Sequence, residues 1–211
     1  MENIKAVIFD MDGVIVESEF RNYKAKLKVL EPFNVTFDYE YYSQFPGNSN
    51  IVVWQKIIED FSIPVTAEEM HKVDLIARDD LIKQEGHIAI DGALELIKKL
   101  SKKYVLALAS GSPKHIIEDT VKFFDIEKYF KFIISGETIE NCKPAPDIFL
   151  ITAKNIGINP ENCVVIEDSA NGVMAAKSAG MKCIGYENEN SGKQDLSLAD
   201  LIIKDHKNNP L

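Results

Sequence analysis

The chain has 211 residues, of which 45% are hydrophobic and 27% are charged, a balance typical of a globular protein that can bury a core. This composition excludes an intrinsically disordered chain. Lysines and arginines number 24 and acidic residues 33, which gives a formal net charge of −9. Because contacts to nucleic acids and anionic membranes need an excess of cations, the charge argues against both as partners. A small phosphorylated substrate is compatible with this charge if a local cation or metal ion reverses the field.

The chain carries few signals for a compartment other than the cytoplasm. Its three cysteines, Cys142, Cys163 and Cys183, show no paired spacing, which argues against both a disulfide framework and a zinc site. The apolar stretch near the N-terminus is too short for a signal peptide, and no apolar run approaches the roughly 20 residues that span a bilayer. We therefore expect a soluble, cytoplasmic protein, and we further expect it to be a monomer.

Short apolar runs, rich in β-branched residues, alternate with helical patterns along most of the chain. Each run is continuously apolar, which predicts strands that are buried on both faces of a parallel sheet. The predicted strands are residues 6–9, 105–109, 132–134, 163–166, 182–185 and 201–203.

Helical patterns fill the intervals between these strands. Residues 91–100 form an amphipathic pattern, and a helix over residues 113–124 is predicted to be capped by Ser112. Pro146 is predicted to open another helix, and Gly180 to end the last one. The alternation predicts the α/β class, with a Rossmann-like, doubly wound parallel sheet as its core.

One long segment interrupts the alternation. Between residues 17 and 85 only helical patterns occur, and the longest of them begins with a capping box at residues 66–69. The interruption predicts an α/β core made of residues 1–16 and 88–211, with a helical cap of residues 17–87 inserted into it. Such an insert favours a lid over the strand ends, and a purely structural subdomain is the alternative.

Two aspartates follow the first predicted strand. Asp10 and Asp12 are separated by one residue, so on an extended chain their carboxyl groups point the same way. At the carboxyl end of a central parallel strand they would face the crevice where ligands bind in such sheets. Taken alone, this pair is also typical of a solvated turn.

The next two strands end in residues suited to binding an anion. Ser110 and Gly111 lie between a strand and a helix N-terminus, where free N–H groups and the helix dipole favour negative charge. With Ser112 taken as the helix cap, Ser110 is left to bind a ligand. Lys143 lies in a proline-rich segment and can act as a point cation for phosphate, although most lysines are simply exposed.

Two further acids, Glu167 and Asp168, follow the fourth strand. Mg²⁺ prefers a few carboxylates together with water and substrate oxygens, so the pair fits a magnesium site, although Asp168 could also be a helix cap. If Asp10, Asp12 and Asp168 converge, two like charges about 4 Å apart repel by roughly 4 kcal/mol at an effective dielectric constant of 20. The cluster therefore predicts a divalent cation or a raised pKa on one member.

Four of these features together resemble a known family. The D-x-D-G sequence at residues 10–13, Ser110 at a strand end, the Lys-Pro pair at 143–144 and the Glu-Asp pair at 167–168 occur in the order seen in the haloacid dehalogenase (HAD) superfamily of phosphotransferases. The resemblance covers essentially the whole chain, and the helical insert is placed like the C1-type cap of that family.

The resemblance implies a role for each of these residues. Asp10 would be the nucleophile and Asp12 the general acid and base, whereas Ser110, Gly111 and Lys143 would hold the transferring phosphoryl group. We expect Lys143 and the metal ion to lower the pKa of Asp10.

The resemblance also implies a metal site. Mg²⁺ would be held by Asp10, the main-chain carbonyl of Asp12, and Asp168 together with Glu167.

Several residues bear on the branch of the family. Dehalogenation is disfavoured because its enzymes lack the second acid, and phosphonate cleavage needs a cap lysine, whereas the cap lysines here fit an exposed helix face: Lys24, Lys26 and Lys28. The sequence most resembles the β-phosphoglucomutase-like and sugar-phosphate phosphatase branch. Mutases of that branch carry a cap histidine and a cap arginine where Asn22 and Asn50 stand here by ungapped count. Asparagine neither moves a proton at neutral pH nor pairs with phosphate as a guanidinium does.

We therefore predict a Mg²⁺-dependent phosphatase that acts on a small phosphorylated metabolite, such as a sugar phosphate. The loop of residues 45–48, which contains Pro46 and Gly47, is expected to dip toward the site and help select the substrate. A β-phosphoglucomutase-type phosphotransferase and a non-catalytic phosphate-binding module are the alternatives.

Overall fold

The computed structural model describes residues 3–45 and 47–211; Pro46, within the predicted substrate loop, lies outside the described residues. The chain forms one six-stranded parallel sheet with the strand order β3-β2-β1-β4-β5-β6. The strands are β1 (Ala6–Phe9), β2 (Val105–Ser110), β3 (Phe130–Ser135), β4 (Cys163–Glu167), β5 (Lys182–Tyr186) and β6 (Leu201–Ile203). The predicted α/β class with a doubly wound parallel sheet is confirmed.

The central strand explains why the strand sequences are continuously apolar. Ala6 and Ile8 of β1 point to one face of the sheet, and Val7 and Phe9 point to the other. All four side chains are fully buried, because helices cover both faces. Alternating residues therefore fill two separate hydrophobic cores.

Four helices, called the cap helices below, lie in the chain between β1 and residue 88. They are α1 (Glu19–Leu30), α2 (Tyr39–Tyr42), α3 (Asn50–Phe61) and α4 (Ala67–Glu85). The predicted capping box at the start of α4 is present, with Thr66 and Glu69 exchanging hydrogen bonds. The short helix α2, capped by Asp38, was not predicted from the sequence. These helices pack around a hydrophobic core of their own, in which Trp54 is fully buried.

The remaining helices cover the sheet. Helices α5 (Ala93–Leu100) and α6 (Lys114–Phe123) pack on one face, and α7 (Asp147–Ile156) and α8 (Ala170–Ser178) pack on the other. The predicted cap of α6 is wrong: Pro113, not Ser112, is the N-cap, and the hydroxyl of Ser112 is engaged elsewhere.

Two adjacent segments connect the cap helices to the sheet. Val16 forms an antiparallel bridge with Ala89, and the main-chain N–H of Glu17 donates to the carbonyl of Ile88 at 2.8 Å. The paired connections hold the cap helices next to the carboxyl ends of β1 and β2. Within residues 3–45 and 47–211, no helix combines the length and the hydrophobicity needed to cross a bilayer.

Candidate active site

A cavity of about 450 Å³ lies between the cap helices and the carboxyl ends of the central strands. The strand order reverses at β1, and ligands bind at this point in open α/β sheets. Residues from both sides line the cavity. From the sheet side these include Asp10, Asp12, Gly111, Ser112, Lys143, Glu167 and Asp168, and from the cap side Glu19, Asn22, Lys26, Gly47, Asn50, His71 and Arg78.

Lys143 connects two carboxylates at the floor of this cavity. Its Nζ donates to Oδ1 of Asp10 at 2.5 Å and to Oε1 of Glu167 at 2.7 Å. Asp10 and Glu167 are nearly inaccessible to solvent, with 6% and 1% of their surface exposed. The expected grouping of these residues, from strands far apart in sequence, is therefore present in the structure.

Burial and Lys143 act in opposite directions on the pKa of Asp10. Burial is the largest effect and raises the pKa of Asp10 to about 7, although the nearby Lys143 lowers it. Glu167 and Asp12 raise the pKa further through like-charge repulsion. Lys143 therefore only partly offsets the cost of burying this carboxylate.

The carboxyl group of Asp12 is held by two hydroxyls. Ser112 Oγ donates to Oδ2 of Asp12 at 2.6 Å, and Ser110 Oγ donates to the same oxygen at 3.4 Å. Ser110 is fully buried and also accepts a hydrogen bond from the main-chain N–H of Ser112 at 3.0 Å, whereas Gly111 and Ser112 line the cavity itself. Sequence reasoning missed Ser112, because a serine before a proline and a helix is typical of a cap.

Asp168 lies beside the turn that follows β1. A Cβ atom added to Gly13, whose φ is +72°, would come within 1.9 Å of Oδ2 of Asp168, so only glycine allows this approach. Ser191, in the loop after β5, donates a hydrogen bond to the same oxygen. Burial raises the pKa of Asp168 well above its usual range, and Glu167 and Asp10 add to the effect. Ser191 carries no motif and was also missed.

The acidic residues exceed the cations at this end of the sheet. The carboxyl groups of Asp10 and Glu167 contact Lys143, and burial together with like-charge repulsion raises the pKa of Asp10 and of Asp168. In the part of the chain that the structure describes, no three metal-binding side chains come together as a preformed site. Glu167 is occupied by Lys143 and by the N–H and hydroxyl of Ser169. The buried carboxylates of Asp10 and Asp168, with their excess of negative charge, still fit Mg²⁺, because this ion takes most of its other ligands from water and substrate.

The cap residues predicted to contact a substrate all line the cavity. Asn22, Gly47 and Asn50 lie on its cap side, and the carbonyl of Gly47 accepts a hydrogen bond from Asn171 of the core at 2.8 Å. The loop around Gly47 therefore contacts the core, as expected for a loop that dips toward the site.

Two cap cations, Lys26 and Arg78, lie beside Asn50. Lys26 was expected on an exposed helix face, but its side chain is only 1% exposed and its Nζ donates to Oδ1 of Asn50 at 2.7 Å. Arg78 also donates to this oxygen, at 3.1 Å, so a guanidinium does lie beside Asn50. Arg78 lies 28 residues after Asn50 in the chain, and the comparison at position 50 alone did not reveal it.

Glu19 adds an acidic group to the cap side. Tyr42 donates a hydrogen bond from its hydroxyl to Oε2 of Glu19 at 2.9 Å. Burial nevertheless raises the pKa of Glu19 to about 7, so this carboxyl group changes charge near neutral pH.

Comparison with known proteins agrees with this geometry. The family model for haloacid dehalogenase-like hydrolases matches residues 4–180. A phosphorylated carbohydrates phosphatase from Thermotoga maritima is 31% identical over 185 residues, which cover 86% of this chain and 84% of that protein. The protein SUPPRESSOR OF QUENCHING 1, chloroplastic, from Arabidopsis thaliana is 32% identical over 209 residues. The matched segment covers 96% of this chain but only 19% of that longer protein.

Among solved structures, a β-phosphoglucomutase from Clostridium difficile has 27% sequence identity and a TM-score of 0.81, over 98% of this chain and 94% of that chain. The chain belongs to the haloacid dehalogenase-like hydrolase family. The prediction of a HAD-like phosphatase in the β-phosphoglucomutase-like branch is thereby confirmed.

Proposed function

We propose that this protein is a Mg²⁺-dependent phosphomonoester hydrolase that acts on a small phosphorylated metabolite, a sugar phosphate or a similar compound, through an aspartyl-phosphate on Asp10. The observation that carries the proposal is the contact of Lys143 with both Asp10 and Glu167, beside Asp12, at the floor of the cavity. The similarity to a phosphatase named for phosphorylated carbohydrates supports the choice of substrate.

In the first half of the reaction, a carboxylate oxygen of Asp10 attacks phosphorus, and the bond from phosphorus to the leaving oxygen breaks. Asp12 gives its carboxyl proton to that oxygen, so that an alcohol leaves. Both serine hydroxyls contact Oδ2 of Asp12, which leaves Oδ1 to carry the proton. Lys143 and the main-chain N–H groups near Gly111 stabilise the charge on the phosphoryl oxygens.

In the second half, Asp12 takes a proton from a water molecule as that water attacks phosphorus. The bond from phosphorus to Asp10 breaks, which regenerates the carboxylate and releases inorganic phosphate. The cap excludes bulk water during the first half and opens for exchange of substrate and product.

The metal site belongs to the proposal. Asp10, the main-chain carbonyl of Asp12, and Asp168 would hold Mg²⁺, with Glu167 adjacent through its contact with Lys143. The ion, when bound, supplies positive charge to the transferring phosphoryl group. The excess of buried carboxylates supports this assignment.

We also propose that residues 17–87 act as the cap and residues 1–16 with 88–211 as the catalytic core, in a monomer that works in the cytoplasm. The separate hydrophobic core of the cap helices and the paired connections at Val16 and Ala89 support the division. Size-exclusion chromatography with light scattering tests the monomer, with a mass near 23.7 kDa as the expected result.

Hydrolysis of p-nitrophenyl phosphate tests the activity. Turnover is expected with Mg²⁺, is lost with EDTA, and returns when Mg²⁺ is restored. Asp10→Asn should abolish turnover, and rapid acid quenching followed by mass spectrometry should show a phosphate on Asp10 of the wild type only. Asp125→Asn is the matched control, because the side chain of Asp125 is 83% exposed and does not line the cavity. Full turnover by Asp10→Asn would refute the covalent mechanism.

A further inference from the structure

A buried cluster of polar residues forms the cap side of the cavity. This group, the cap cluster, consists of Lys26 from α1, Asn50 from α3, and His71, Asp74 and Arg78 from α4. The side chains of Lys26 and Asp74 are 1% and 0% exposed. The chemistry proposed at Asp10 does not use these residues, and the burial of charged groups beside the cavity indicates that they have another role.

Asp74 lies behind the two cations of the cap cluster. Its Oδ2 is 3.0 Å from Nε of Arg78, and its Oδ1 is 3.5 Å from Nζ of Lys26. Burial by itself would raise the pKa of Asp74, but Arg78 and Lys26 hold it below its usual value. Asp74 is therefore ionised and cancels one of the two positive charges.

Asn50 links the same groups. Its amide oxygen accepts from Lys26 at 2.7 Å and from Arg78 at 3.1 Å, and its Nδ2 donates to Asp74 at 2.6 Å. The Nδ2 atom also lies 2.8 Å from Nδ1 of His71. These contacts orient Arg78, whose side chain remains 14% exposed and lines the cavity with donors to spare.

The charge of this surface decides what it can bind. Two cations and the carboxylate of Asp74 leave one net positive charge, and Glu19, whose pKa is raised to about 7 by burial, removes part of it near neutral pH. A second phosphate on the substrate would bring roughly two negative charges to a desolvated surface without a matching excess of cations. A hydroxyl group both donates and accepts, and Arg78 and Glu19 offer the two complementary partners.

We propose that the cap cluster binds uncharged hydroxyl groups of the leaving group, and that Asp74 makes the enzyme select monophosphates of sugars or sugar alcohols over bisphosphates. The inference rests on the proposed hydrolysis at Asp10 and adds the class of substrate. Asp74 acts through Arg78 and Asn50, and is therefore a residue that determines specificity by positioning and by charge.

The wild type provides the first test. Fructose 1-phosphate and fructose 1,6-bisphosphate share the phosphorylated carbon and differ in the second phosphate. We expect kcat/KM for the monophosphate to exceed that for the bisphosphate by about tenfold or more. Equal values, or a preference for the bisphosphate, would overturn the inference.

Asp74→Asn provides the second test, because it keeps the size of the side chain and removes its charge. With Arg78 released, the ratio of kcat/KM for the bisphosphate to that for the monophosphate should rise about tenfold. Because the ratio compares two substrates of one variant, a loss of rate in the hydrolysis step that both substrates share does not change it. Asp80→Asn on the same helix, where the side chain is 45% exposed, should keep the wild-type ratio. An unchanged ratio in folded Asp74→Asn contradicts the inference.

Arg78→Gln covers the case in which Asp74→Asn does not fold. Loss of the guanidinium should lower kcat/KM for fructose 1-phosphate about tenfold more than for p-nitrophenyl phosphate, whose leaving group has no other hydroxyl. Equal losses on both substrates contradict the inference and leave the proposed hydrolysis intact. If the wild type does not hydrolyse p-nitrophenyl phosphate, the proposed function fails, and this inference fails with it.

Discussion

Gly172 occupies a position in α8 where a single methyl group would disturb the floor of the cavity. A Cβ atom at this position would lie 1.7 Å from Oε1 and 1.9 Å from Cδ of Glu167. Glu167 cannot move aside freely, because its side chain is 2% exposed and accepts hydrogen bonds from Lys143 at 2.7 Å and from the N–H and hydroxyl of Ser169 at 2.9 Å each. Gly172→Ala should therefore displace both Glu167 and Lys143.

The expected loss follows from three contributions. Overpacking of a tight interior costs about 1–3 kcal/mol. Each lost hydrogen bond to the charged Glu167 costs about 1.5–3 kcal/mol. The higher helix propensity of alanine offsets about 1 kcal/mol of this loss of stability. With one of these hydrogen bonds lost, the net result is a decrease of about 1.5–5 kcal/mol in the free energy of unfolding, or roughly 3–20 °C in Tm.

Activity should decrease as well. A displacement of about 1 Å in a positioning group can cost about a hundredfold in rate, so kcat for p-nitrophenyl phosphate should fall about 10- to 100-fold through Lys143. Differential scanning calorimetry and steady-state kinetics measure the two effects. Met174→Ala on the same helix, where Met174 is 43% exposed, should change stability by less than about 0.5 kcal/mol.

A second substitution separates this mechanism from a general effect on the helix. Glu167→Asp shortens the side chain that blocks the new methyl group, so it should restore part of the stability lost in Gly172→Ala. In a double-mutant cycle the coupling free energy should favour the double variant by about 1 kcal/mol or more. Wild-type Tm and kcat in Gly172→Ala, or additive losses in the cycle, would show that the reasoning is wrong.

Other positions give further predictions. Ser112→Ala removes the 2.6 Å hydrogen bond to Asp12 and should lower kcat about 10- to 100-fold with a smaller effect on KM, measured with p-nitrophenyl phosphate. Trp54→Ala should lower the free energy of unfolding by about 3–5 kcal/mol in urea denaturation, because the indole is fully buried in the cap core. Asp200 is partly buried, which acts to raise its pKa, but hydrogen bonds from Lys177 and other groups lower the pKa to about 2. Its stabilising contribution, about 1 kcal/mol after allowance for solvent screening, should be complete above pH 3.8 and disappear as the pH falls toward 2, so Asp200→Asn should destabilise the protein at pH 6 but not near pH 2.

Matched controls accompany these three variants. Ser112→Thr keeps the hydroxyl and should retain more activity than Ser112→Ala; equal activities would exclude the role of the hydrogen bond. Val52→Ala lies on the same helix as Trp54 but at a position that is 49% exposed, and a loss similar to that of Trp54→Ala would contradict the packing argument. Glu189→Gln removes an exposed acid, and the pH dependence of its stability should match the wild type.

The sequence predicted those features that depend on local patterns. Continuous apolar runs identified all six strands, with ends that differ from the structure by two residues at most. The capping box at Thr66 marks the start of α4 in both the sequence prediction and the structure. Residues at the carboxyl ends of parallel strands meet at one edge of the sheet, and for that reason Asp10, Asp12, Lys143 and the Glu167–Asp168 pair could be grouped without knowing any distance.

The individual contacts within the site were decided by tertiary structure. Ser112 was taken for a helix cap, but its hydroxyl contacts Asp12 across 100 residues of sequence. Lys26 was placed on an exposed face because lysine usually lies there, and its burial depends on Asn50 and Asp74 from other helices. Ser191 belongs to a loop without a motif and is positioned only by the fold.

The sequence by itself determined the class of fold, the order of its elements and the acidic and basic groups at the floor of the cavity, because each depends on neighbouring residues or on the geometry common to parallel sheets. Only the tertiary structure decided how burial and distant partners set the charge of those groups. The pKa of Asp10 is raised to about 7 because desolvation outweighs Lys143, and Arg78 lies beside Asn50 because α3 and α4 pack together. Interactions of this kind depend on distances between side chains, which no local pattern of residues specifies.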